Sequence, residues 1–226
     1  MKLSAVLLAR VIFFVESVEL NPRGAAYYPD IVKGLVERYG FKKFPEKFDE
    51  FDEQKGVMLL GGKYGDTVID KVIINTWGLT FDTTSSTRNA EELLIDALTW
   101  GSEHLKLHYS PDMIKRKAYV SQILFYSDAP LLSVNPILNV VGKRISKEVS
   151  ENLKLPYTFQ PRGVSLGIDP EEQRIPVQVF SIERREGVAF SENKYWSAAP
   201  VSTDSHLALI EEFERSIQKQ QFSSGR

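Results

Sequence analysis

The chain contains no cysteine. That removes disulfides, thiolate nucleophiles, Cys-rich zinc sites and iron–sulfur clusters together, and it suits a reducing, cytoplasmic compartment. Histidine is nearly as scarce. His104, His108 and His206 must carry any imidazole chemistry. Charge of one sign is missing too: 28 basic and 30 acidic side chains give a formal net charge of −2. A nucleic-acid binder normally carries a basic surplus, because phosphate contacts supply most of its affinity, so nucleic acid is not the expected partner. No run is long and apolar enough to cross a bilayer. Residues 3–18 are interrupted by Arg10 and Glu16 and lead to no small-residue cleavage site before Asn21-Pro22, so neither a membrane span nor a signal peptide is expected. The nucleotide-binding and hydrolase signatures built on glycine loops or a strand-to-helix serine elbow are absent, as is the glutamate that would complete a zinc-protease helix around His104.

What remains is the composition of an ordinary folded domain, 42% hydrophobic and 26% charged over 226 residues. A chain of this length buries roughly 70% of its unfolded surface without metal or disulfide support. A single domain is expected over 1–217, with any subdivision near Lys154-Leu155-Pro156, and a polar, disordered tail over 218–226.

Apolar periodicity places the elements. The β-branched run through Val6, Val11, Ile12, Val15 and Val18 predicts a long buried strand. Pro29 opens a helix whose apolar face is Ile31, Val32, Leu35, Val36 and Tyr39, and Gly40 ends it. Strands follow at 57–60, 68–75 and 77–81. Ala90, Leu93, Leu94, Ala97, Leu98, Gly101 and Leu105 define a helix to about Leu107, capped at Asn89 or Thr87. Residues 118–126 read as a strand, and Asn135-Pro136 opens a helix with Ile137, Leu138, Val141, Ile145 and Val149 as its buried face. Alternation predicts strands at 164–168 and 175–179, and a last helix runs from Thr203 to Ile217. Strands that come in pairs between helices indicate an α+β fold: a mixed, largely antiparallel sheet with about four helices packed mainly on one face.

Several groups are candidates for function. Asp82, Thr83, Ser85, Ser86, Thr87 and Arg88 join a strand to a helix N-terminus, where free N–H groups attract anions; capping is the ordinary use of such hydroxyls. His104 and His108 are spaced to share a helix face as a metal pair, with His206 a conceivable third ligand, although core histidines fit the same spacing. Gly61-Gly62 and Gly65-Asp66 read as a hairpin connection rather than a phosphate loop. Lys115, Arg116, Lys117, Lys143, Arg144, Lys147, Arg184 and Arg185 form basic clusters that default to solvated surface. Phe44, Phe48 and Phe51, on an acidic background, and Tyr195-Trp196 are interface candidates.

None of these outweighs its structural explanation. The expected function is therefore a non-enzymatic binding or assembly role through protein–protein contacts, as an accessory, immunity or defence-type partner or as a homo-oligomer, with no cofactor and no membrane partner. The alternative is a hydrolase or transferase acting on an anionic substrate at 82–88.

Overall fold

A computed structural model describes residues 1–52, 54–133 and 135–224, with the backbone alone described for Phe48 and for 220–224. In chain order the elements are β1 (Lys2–Phe14), α1 (Ser17–Leu20), α2 (Tyr28–Tyr39), β2 (Val57–Tyr64), β3 (Thr67–Asn75), β4 (Gly78–Thr83), α3 (Thr87–His104), β5 (Arg116–Tyr126), α4 (Pro136–Leu153), β6 (Gly163–Leu166), β7 (Phe180–Arg184), β8 (Lys194–Ala199) and α5 (Thr203–Ser224). The eight strands form one antiparallel sheet in the order β2-β3-β4-β1-β5-β8-β7-β6. This is the α+β architecture that paired strands between helices imply. The chain divides into two compact units: a larger one of 6–122 with 200–205, and a smaller one of 1–5, 123–199 and the chain from 206 onward. No boundary between them falls at 154–156.

In the larger unit, hairpin connections set the register. β3 and β4 meet across Thr76-Trp77 with Asn75 opposite Gly78, and β4 lies along β1 with Phe81 opposite Val11. Alternation then sends Val11, Phe13, Val72, Ile74 and Phe81 to one face, where Ile31, Val32 and Leu35 of α2 and Leu94 and Leu98 of α3 cover them. α2 carries Pro29 in its first turn and ends at Gly40, whose φ of 63° is the left-handed stop. β2 continues through Gly61-Gly62, where the glycine pair suggested an end. The reason is packing: a Cβ on Gly62 would lie 2.6 Å from the ring of Phe41, so glycine lets that ring rest on the strand.

Three expectations fail here for local reasons. β1 stops at Phe14 and the chain turns into α1, leaving Val18 62% exposed instead of in a strand. α3 ends at His104, with Lys106 left-handed at φ 60°, so His108 lies beyond the helix. β7 starts only at Phe180, and the alternating Ile175, Val177 and Val179 precede it, exposed and outside any strand.

The smaller unit has its own core of Ile123, Phe125, Leu131, Ile182, Tyr195 and Ile210. α5 runs on to Ser224, past Gln218 where a disordered tail was expected; residues 225–226 lie outside the described residues. α4 is capped as its sequence indicates, Asn135 Oδ1 accepting from the N–H groups of Ile137 and Leu138 at 3.0 and 3.4 Å. Its expected buried face is not buried. Gly142 is the single buried residue of the helix, and Ile137 and Val140 are 72% and 67% exposed.

Candidate functional site

Asp82 is 2% exposed and held from two neighbouring strands. Arg10 on β1 grips both carboxylate oxygens at 2.7 and 2.8 Å, and Lys71 on β3 approaches to 3.5 Å. Both basic residues sit directly opposite Asp82 in the strand register, so cross-strand pairing alone places them. The salt bridge raises the Arg10 pKa, chiefly through its hydrogen bond to Asp82. The rest of 82–88 is occupied in the same way. Ser86 caps α3 by accepting from Asn89 N–H at 3.1 Å, and Thr83 and Ser85 bond each other at 3.2 Å. Thr87 exchanges hydrogen bonds with Thr203, and Arg88 pairs with Asp204 at 2.6 Å. The six residues do lie together, but Asp82 is taken by Arg10 and Lys71, and the others bond within the segment, to Asn89 and to the start of α5.

The histidines do not converge. His104 stacks on Trp100 at 5.3 Å and bonds its carbonyl at 3.1 Å, while the His108 N–H donates to Leu20 O at 2.7 Å. His206 belongs to the smaller unit, wholly buried, with Nε2 2.8 Å from Ser197 Oγ. Ser197 donates its own proton to Ser181 O at 2.7 Å, so the imidazole Nε2 carries the hydrogen between them. Burial lowers the His206 pKa to about 4. Among the described residues, no three His, Asp or Glu side chains are placed to hold a metal ion.

The aromatic candidates separate. Phe44 is partly exposed, Phe51 packs edge-on against Tyr28, and the Phe48 side chain lies outside the described residues. Tyr195 is fully buried, stacked on Phe125, with its hydroxyl accepting from Leu131 N–H at 3.2 Å; Trp196 is half-buried. Part of the basic clusters is engaged: Lys117 with Glu91 at 2.5 Å, Arg144 with Glu148 at 3.1 Å, and Arg184 donating to Phe190 O at 2.8 Å.

Two features escaped the sequence. The first is the outer face of α4. A short extended segment crosses the helix, Phe159 N–H donating to Ser146 Oγ at 2.8 Å and Tyr157 N–H to Ser150 Oγ at 2.9 Å. Gly142 continues that line of small residues; a Cβ there would sit 2.7 Å from Phe159 O. The strap thus covers the small residues, while Ile137, Leu138, Val141 and Ile145, one turn apart along the helix, stay exposed. Val140, Leu153 and the strap's Leu155, Tyr157 and Phe159 are exposed as well, more large apolar side chains than singly scattered surface residues account for.

The second is a cavity of about 270 Å³ inside the larger unit, among α1, α2, α3, β3 and β4. Val72, Phe81 and Leu98 lie deep in its wall, and Val18 marks its open side. No Asp, Glu, Lys, Arg or His lines it. Both features are built from apolar residues that look like ordinary core in a sequence.

No protein-family model matches the chain, and no curated protein matches it in sequence. Among the described residues, no helix is long and apolar enough to cross a membrane. What the fold and its surfaces define is an α+β chain with an uncovered apolar helix face and an uncharged internal cavity.

Proposed function

We propose that the protein is a non-enzymatic assembly protein that pairs with a second copy of itself through α4 and the edge strand β6. The observation that carries this reading is the exposed face of α4, where Ile137, Leu138, Val141 and Ile145 are 40–72% exposed beside the strap's exposed Leu155, Tyr157 and Phe159. At about 25 cal/mol per Å², such a surface left in water is a substantial driving force for association.

Two further features favour a second copy over a different partner. β6 ends the sheet order, and its sequence Gly163-Val164-Ser165-Leu166 has none of the charges or prolines that guard an open edge. At the other end of the sheet, the outer side of β2 is shielded by a bridge between Lys43 and Leu60. An unguarded antiparallel edge is self-complementary across a twofold axis. Four of the five charges on α4 pair within the helix, Arg144 with Glu148 and Lys147 with Glu151, so the helix presents little charge of one sign to a partner.

Sedimentation velocity on the full chain at micromolar concentration tests this. The wild type is expected as a dimer, and Ile137→Glu and Val141→Glu as monomers with an unchanged circular dichroism spectrum. Both positions are already exposed, so neither substitution disturbs the core. A monomeric wild type, or a dimer indifferent to both substitutions, refutes the proposal.

A further inference from the structure

The open edge of β6 and the chain just before β7 complement each other. Arg184 N–H donates to Arg162 O at 2.9 Å, and the antiparallel register places Val164 opposite Ile182. Arg162, Val164 and Leu166 therefore turn their backbone groups toward β7. Gly163 and Ser165 turn theirs outward, where β6 ends the sheet and no strand meets them. The connection from β6 to β7, residues 167–179, makes a turn at Asp169, whose carbonyl accepts from the Glu172 and Gln173 N–H groups at 2.9 and 3.1 Å. The chain after that turn lies open. Ile175, Val177 and Val179 are 43%, 37% and 44% exposed, and among the described residues no backbone–backbone hydrogen bond involves them.

We infer, resting on the pairing of two copies proposed above, that residues 175–179 of each protomer add as a ninth strand to the β6 edge of the other. In an extended chain, successive residues direct their backbone groups to opposite edges. Ile175, Val177 and Val179 thus share one edge, and Pro176 and Gln178 the other. Every N–H of the first edge is intact. The N–H that Pro176 lacks falls on the second, the one place where a sheet tolerates proline. The side chains follow the same alternation, so Ile175, Val177 and Val179 give one apolar face, the pattern of a half-buried strand that lacks its sheet. Pairing β6 directly with its own copy would cover the edge but leave these residues as they are. The added strand also closes the assembly. β6 has no guard of its own, whereas the outer edge of the segment presents Pro176, so addition stops at two chains instead of continuing into a filament. One chain cannot make this contact with itself, because Val179 runs directly into Phe180 of β7, which lies on the other side of β6 from the open edge.

Residue-resolved hydrogen exchange on the full chain, read beside sedimentation velocity, tests it. In the wild-type dimer the amides of Ser165, Val177 and Val179 should exchange at least tenfold more slowly than in the monomeric Ile137→Glu variant. The amide of Gln178, on the outer edge, should exchange equally fast in both. Val177→Pro removes a donor from the pairing edge and should weaken dimerisation at least tenfold, about the worth of one hydrogen bond lost in each chain. Gln178→Pro removes a donor from the outer edge and should leave the dissociation constant within roughly threefold. Both positions lie outside every helix and strand, and an unchanged circular dichroism spectrum verifies that each variant folds. A wild-type dimer with Ser165 protected but Val177 and Val179 open, or one on which the two prolines act alike, overturns this inference and leaves the pairing through α4 and β6 standing. A monomeric wild type overturns both.

Discussion

The N–H of Thr87 donates to the hydroxyl of Thr203 at 3.1 Å, and the N–H of Thr203 donates to the hydroxyl of Thr87 at 2.9 Å. Each threonine is the first residue of a helix, α3 or α5, and both are buried. Each thus satisfies a first-turn N–H of the other helix. Thr87→Val and Thr203→Val leave a buried N–H without its acceptor and should each cost about 1–2 kcal/mol in urea unfolding, while Thr→Ser at either position stays within about 0.5 kcal/mol. A valine variant as stable as wild type means that the reciprocal pair does not hold these helix starts.

The Arg10–Asp82 pair predicts an asymmetry between single and double substitutions. Asp82→Leu removes the partner of a half-buried guanidinium and should destabilise by about 3 kcal/mol. Arg10→Met with Asp82→Leu removes both members of the two-pronged pair and should recover part of that loss, because an apolar pair commonly replaces a buried ion pair at little cost, while Lys71 is left without its carboxylate. Chemical denaturation of the two variants checks this. A double variant no more stable than Asp82→Leu alone shows that the pair is not the source of the loss.

The same residues show how far the sequence was legible. Period alone located α2, α3, β4 and the start of α5, because those elements bury one face against a partner of the right kind. Boundaries failed where competing groups stood side by side. Ser86 caps α3, but Asp82, Ser85, Thr87 and Asn89 are all competent caps, and only tertiary bonds choose among them. The alternation of Ile175, Val177 and Val179 has strand period but no neighbouring strand to supply hydrogen bonds, so no strand forms. α4 was found, but not its surroundings: an apolar stripe says that something should cover the helix, not what. The cavity left no local signal at all, since several distant segments contribute one or two apolar residues each.

His206 makes stability depend on pH with a definite sign. Burial lowers its pKa to about 4, against about 6.5 in the unfolded chain. Above pH 6.5 the imidazole is neutral in both states, and its contribution to stability is fully present. Between pH 6.5 and 4 the unfolded chain takes up a proton that the folded protein refuses, so stability falls by up to ~1.4 kcal/mol per pH unit, about 3 kcal/mol in all. Below pH 4 both states are protonated and the slope ends. His206→Gln should remove this part of the slope when urea midpoints are compared at pH 7, 5 and 4. An imidazole that titrates near 6.5 in the folded protein by NMR contradicts the burial argument.

Gly142 separates the stability of α4 from the attachment of its strap. Within a helix, Gly→Ala raises intrinsic helix stability by up to ~1 kcal/mol, so Gly142→Ala taken alone should stabilise α4. The added methyl would lie 2.7 Å from Phe159 O, a backbone atom that cannot rotate aside, so the strap must lift from the helix. The Phe159 N–H bond to Ser146 Oγ and the Tyr157 N–H bond to Ser150 Oγ then weaken together. Hydrogen exchange should show the amides of Tyr157 and Phe159 opening at least tenfold faster in Gly142→Ala, while those in the middle of α4 exchange no faster than in wild type. Ser146→Ala should accelerate Phe159 without protecting the helix, because it removes an acceptor and adds no Cβ contact. If Gly142→Ala leaves both strap amides unchanged, the close approach at Gly142 is not what positions the segment.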